Sequence, residues 1–109
     1  MSFRIFATSE FEKEIKKLAK KYPSLKKDYS FLLESLQQNP IQGVSLGNNI
    51  YKVRLLISSK STGKSGGARV ITFVRIVNQE LVLISIYDKS ERATITDKEI
   101  KERLKRYLS

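Results

Sequence analysis

The sequence predicts an α+β fold, with helices and an antiparallel sheet occupying separate stretches of the chain. Three observations carry this. Apolar residues recur with helical period before Pro40, with strand period from Tyr51 to Tyr87, and with helical period again after Thr96. The helical and strand segments come in blocks, which disfavours a parallel sheet built from alternating units. At 109 residues and 40% hydrophobic, the chain fits one domain, residues 1–109, with a core of its own.

Phe3-Arg4-Ile5-Phe6 reads as a short first strand. Ser9, three residues before Glu12, forms a capping box that opens a helix. Phe11, Ile15, Leu18, Ala19 and Tyr22 then make one apolar stripe, which Pro23 interrupts. A second helix from about Ser24 carries Leu25, Tyr29, Leu32, Leu33 and Leu36 on one face and stops near Asn39-Pro40, because the residue before proline disfavours the helical region. The two helices form a hairpin.

Gly43 and Gly47-Asn48-Asn49 read as turns. From Tyr51 to Ile57 the pattern alternates: Tyr51, Val53, Leu55 and Ile57 on one face, Lys52 and Arg54 on the other. Ser58 to Gly67 is a loop, and Ala68 to Val77 a second long strand. Asn78-Gln79 is a tight connection into Leu81 to Tyr87, which is nearly all apolar and therefore central in the sheet. Thr96 and Glu99 make another capping box, opening a last helix that turns Ile100, Leu104, Tyr107 and Leu108 inward.

Charge is the strongest functional signal. The net charge is +10, and no acidic residue stands between Glu34 and Glu80, a window that holds Lys52, Arg54, Lys60, Lys64, Arg69 and Arg75. Such a surface attracts phosphate. Cysteine and histidine are both absent, which removes disulfides, thiolate metal sites and the usual neutral-pH base. No apolar run is long enough for a transmembrane helix or secretory signal. Gly63-Lys64-Ser65 imitates the end of a phosphate-binding loop, but Ser58 stands where that motif needs glycine, and a β-rich run follows where it needs a helix.

On adjacent strands, Lys52, Arg54, Arg69, Tyr87 and Lys89 converge on one face, with Lys60 and Lys64 on the intervening loop. This set suits phosphodiester cleavage of RNA without metal. Arg54 and Arg69 match the charge of a phosphorane, and arginine binds two phosphate oxygens at once. Lys52, crowded by cations, is the candidate base for the 2′-hydroxyl, and Tyr87 is placed to stack on a base or pass a proton. Lys60, Lys64 and Arg75 are candidate RNA or ribosome contacts, although Arg75 also suits a cross-strand ion pair or solvent. The lysines of the first two helices read as a solvated face.

The chain resembles the RelE/ParE superfamily of toxins, closest to its RelE- and HigB-like branch. The resemblance rests on Lys64-Ser65-Gly66-Gly67-Ala68-Arg69-Val70-Ile71, on Leu83-Ile84-Ser85-Ile86-Tyr87-Asp88-Lys89-Ser90-Glu91, on Tyr51-Lys52-Val53-Arg54 and on the order of elements, and it covers nearly the whole chain. It implies a helical hairpin on a curved antiparallel sheet and a cytoplasmic toxin held by a cognate acidic antitoxin. It also implies ribosome-dependent cleavage of mRNA, with 16S rRNA contacts and no cofactor, metal or membrane. The family's basic positions map onto Lys52, Arg54, Arg69 and Lys89. Many RelE-like enzymes carry a tyrosine shortly after the last strand, where this chain reads Ala93-Thr94-Ile95-Thr96; Tyr87 comes earlier. ParE-like relatives inhibit DNA gyrase and generally lack the basic cluster, so gyrase inhibition ranks second, ahead of a non-catalytic module that binds nucleic acid or antitoxin.

Overall fold

The computed structural model describes residues 2–59 and 67–109. Lys60, Lys64 and the Gly63-Lys64-Ser65 tripeptide lie outside them. The elements are β1 (Arg4–Ala7), α1 (Ser9–Lys21), α2 (Leu25–Gln38), β2 (Val44–Gly47), β3 (Ile50–Leu55), β4 (Ala68–Arg75), β5 (Glu80–Asp88) and α3 (Asp97–Leu108). They build a five-stranded sheet in the order β1-β5-β4-β3-β2. β2 to β5 pair antiparallel, whereas β1 runs parallel to β5, which departs from the all-antiparallel expectation. The reason is connectivity: β1 reaches β5 only through everything between them, and such a long connection permits a parallel partner.

Each face of the sheet has its own apolar cluster. Phe11 and Leu18 of α1 and Leu25, Leu32 and Leu36 of α2 pack on Val53, Leu55, Val70, Val74, Leu81, Leu83 and Ile86. Ile95 together with Ile100 and Leu104 of α3 covers Ile50, Ile71, Ile84 and Tyr87 on the opposite face. Each fully buried aliphatic side chain contributes about 1.5–3 kcal/mol, so the larger first cluster dominates stability. Tyr107 and Leu108, expected inward, are 36% and 50% exposed, because α3 outruns the sheet beneath it.

Local chemistry fixes the ends. The cap of α1 is Thr8, one residue before the expected Ser9, and its hydroxyl accepts from the Phe11 N–H at 3.1 Å. Thr96 caps α3 as expected, accepting from the Glu99 N–H. β2 was not foreseen. Asn48 and Asn49, at φ 54° and 63°, form the tight turn that pairs it with β3.

Gly43 enters β2 at φ 83°, and a Cβ there would sit 2.1 Å from the Lys52 carbonyl oxygen. Gly43→Ala therefore has to push β2 away from β3. We expect a loss of about 2–4 kcal/mol, read as a lower midpoint in urea unfolding. An unchanged midpoint would contradict this packing.

Asp28, on α2, is buried and ties down the end of β3. Its carboxylate accepts from the Ser58 N–H (2.9 Å), the Ser58 hydroxyl (2.5 Å) and the Ser24 hydroxyl (2.8 Å). Burial pushes its pKa up, but the hydrogen bonds from Ser58 and Ser24 outweigh that, and it lies below the ordinary aspartate value. A depressed folded pKa contributes stability above the unfolded value, near 4, that is lost as pH falls through the folded value. Asp28→Asn is expected to cost about 1–3 kcal/mol at pH 7 and to flatten the loss of thermal stability below about pH 4. Parallel acid profiles for the two proteins would refute this role.

Candidate active site

Strand register brings the sequence-predicted residues into a row. Arg54 on β3 stands opposite Arg69 on β4, and Arg69 stands opposite Tyr87 on β5. Neighbouring strands lie about 4.8 Å apart, so the row spans roughly 10 Å. It lies on the α3 side, since Ile50, Ile71 and Tyr87 share that cluster while the neighbours Val53, Val70 and Ile86 face the helical hairpin. Lys52 is in the next rank, opposite Ile71, and its Nζ donates to the Thr94 hydroxyl at 3.3 Å. Lys89 follows the end of β5 and is exposed; its backbone N–H donates to the Gly67 carbonyl.

Arg69 is only 8% exposed. Among the described residues its guanidinium makes a single hydrogen bond, to the neighbouring Ala68 carbonyl at 3.2 Å, and no carboxylate pairs with it. A buried cation without an anion is costly. Arg54 directly across the strand adds like-charge repulsion. An anion placed between the two guanidiniums relieves both penalties.

Tyr87 is 5% exposed, and its Oη has no hydrogen-bond partner among the described residues. A ring this buried offers little face for stacking, and its hydroxyl is buried with it. Arg75 stands apart. It lies six residues along β4 from Arg69, about 20 Å away, and its guanidinium pairs with Glu80 at 3.3 Å, which also binds Arg4.

The sequence reading missed what holds β5. β1 ends at Ala7, beside Leu83, so the edge of β5 is open beyond that point. Thr8 covers the first of it, its N–H donating to the Leu83 carbonyl and its hydroxyl to the Ile84 carbonyl. Glu14 of α1 covers the next part, accepting from the Ser85 hydroxyl (3.1 Å) and the Ile86 N–H (3.3 Å). Arg103 of α3 binds both oxygens of Glu14, at 2.8 and 3.0 Å, and donates to the Ile84 carbonyl. Burial works against the Arg103 charge, but Glu14, with Glu10 and Glu99, more than compensates and raises its pKa. Ile84 is also the extra residue of a bulge in β5. One ion pair thus clamps α1, β5 and α3 together three residues before Tyr87.

A family profile described as the RelE toxin of the RelE / RelB toxin-antitoxin system matches residues 3–107. The chain belongs to the RelE toxin family. Its fold is that of solved RelE structures. This RelE-family chain superimposes on the free state of an E. coli RelE toxin carrying two arginine-to-alanine substitutions, with TM-score 0.64 and 17% identity over 97% of this chain and 98% of that one. It also superimposes on a chain of the toxin–antitoxin complex RelBE2 from Mycobacterium tuberculosis, with TM-score 0.58 and 12% identity over 81% of this chain and 99% of that one. No curated protein sequence matches it. No helix among its described residues is long and apolar enough to cross a membrane.

Proposed function

We propose that this RelE-family toxin acts in the cytoplasm as an endonuclease that cuts mRNA on the ribosome and so stops translation. The observation that carries the proposal is the opposed pair Arg54 and Arg69, one exposed and one buried, with no carboxylate on either among the described residues. In the proposed reaction the RNA supplies its own nucleophile. Lys52 takes the 2′-hydroxyl proton as that oxygen attacks the adjacent phosphorus. Arg54 and Arg69 stabilise the pentavalent phosphorane. Lys89, at the open end of β5, protonates the departing 5′-oxygen. The products are a 2′,3′-cyclic phosphate and a free 5′-hydroxyl. Lys60, Lys64 and Arg75 serve as outlying contacts to RNA or ribosome.

An acidic antitoxin is the proposed partner, covering the basic face or displacing α3. Displacement would lift Ile100 and Leu104 off the sheet and break the Arg103–Glu14 pair, while the last residues of α3 already stand exposed.

Purified protein added to a cell-free translation reaction, with primer extension on the message, tests the proposal. Cuts at codon positions in the ribosomal A site are expected. Intact message, with a known endonuclease active in the same extract, rules the reading out. Loss of DNA supercoiling without RNA cleavage would shift it to gyrase inhibition.

A further inference from the structure

Beside the basic row lies a second cavity. A cleft of about 580 Å³ opens between α1 and the end of β5, floored by Leu18, Ile86 and Tyr87. Its size falls within the roughly 300–1,000 Å³ usual for small-ligand sites. Tyr87 belongs to both places: it ends the row begun by Arg54 and lines the cleft.

The charges around the cleft are unevenly committed. Arg92 is held by Glu99 and the Thr94 carbonyl, and Lys21 by Glu91, which raises the lysine's pKa above its usual value. Glu14 is occupied by Arg103, and Asp88 accepts from the Tyr22 hydroxyl at 2.5 Å. Lys17 and Lys20 remain without an ion-pair partner among the described residues. Three positions apart on α1, they are neighbours on one face of the helix.

We infer that this cleft is a nucleotide subsite for the RNA strand as it leaves the basic row, with a phosphate on Lys17 and Lys20 and the base inside the cleft. The inference rests on the RNA-cleavage reading. The cleft continues the row through Tyr87 and offers its two unpaired lysines to the next phosphate of a strand already held on Arg54 and Arg69. An acidic peptide, carrying several anions, would find only these two lysines uncommitted, since Lys21 and Arg92 are paired.

The test uses the full chain and a single-stranded RNA hexamer that is 2′-O-methylated throughout, so that it cannot be cut. Backbone amide shifts are followed by NMR and affinity by fluorescence anisotropy across a salt series. The hexamer should move the amides of Lys17, Lys20 and Ile86 as well as Arg69. Lys17→Ala/Lys20→Ala should bind roughly tenfold more weakly, with a salt slope shallower by about 1.4, the value for two phosphate contacts on a single strand. The Arg69 shift should persist in that variant. Cleft amides that stay still while Arg69 moves, or a double variant with unchanged affinity and slope, overturn the subsite and leave the cleavage reading intact. Cleft amides that move in a protein that cuts no message support the subsite while cleavage falls.

Discussion

Replacing Arg69 with methionine is expected to lower mRNA cleavage by about 10²–10³-fold, the usual cost of removing one transition-state charge donor, while the melting temperature stays level or rises slightly. The second half of this expectation is the more discriminating. Most buried arginines are paired, and truncating one strands its partner. Among the described residues Arg69 has no carboxylate to strand, and Arg54 stands directly opposite it across the β3–β4 ladder. Methionine keeps most of the stem's volume and abolishes the repulsion. A structural arginine behaves in the opposite way, so a fall of several degrees with activity per folded molecule retained would assign Arg69 to the scaffold. Circular dichroism melts beside the primer-extension assay distinguish the two cases. Arg54, being exposed, should show the same loss of cleavage with an even smaller effect on stability.

Glu14→Ala is expected to be the most destabilising of the charge removals, by about 2–4 kcal/mol, or roughly 10–20 °C in a chain of this size. Glu14 satisfies the Ile86 N–H and the Ser85 hydroxyl at the point where β1 no longer covers β5, and its loss leaves the Arg103 guanidinium, 13% exposed, without an anion. Arg103→Met alone strands the carboxylate. The two changes together should cost clearly less than the sum of the singles, because each removes the other's stranded charge. Additive losses in urea unfolding would show that the pair is not a clamp. Cleavage by the folded fraction of Glu14→Ala should also fall, since Tyr87 lies on the strand that loses its edge support.

The basic row was legible because strand alternation is rigid: once Lys52 and Arg54 are opposite Val53 and Leu55, only one face can carry them, and a run as apolar as Leu81–Ile86 has to sit inside the sheet. The register that sets Arg54, Arg69 and Tyr87 in line follows from pairing, which the residue pattern does not contain. β2 escaped notice because its four residues are all exposed, follow Gly43 and end on Gly47, so the segment reads as turn. The shift from Ser9 to Thr8 at the first cap reflects two adjacent hydroxyl residues with the same chemistry. Glu14 looks like any solvated helix carboxylate. Its role depends on where β1 stops, a tertiary fact, and Arg103 on the far helix is invisible for the same reason.

The pairing of β1 with β5 joins the first strand made to the last, Arg4 to Glu80 at the start of the ladder. Contacts of such long sequence separation form late and slowly. While the chain is still being synthesised, Lys52, Arg54 and Arg69 exist, but β5 is missing and the row cannot close. Under the proposed function, the nascent protein is then harmless to the ribosome making it, and the interval before closure is when an antitoxin can capture it. Pulsed hydrogen exchange during refolding should show β3–β4 amides protected before those of β1 and β5; simultaneous protection would remove the interval.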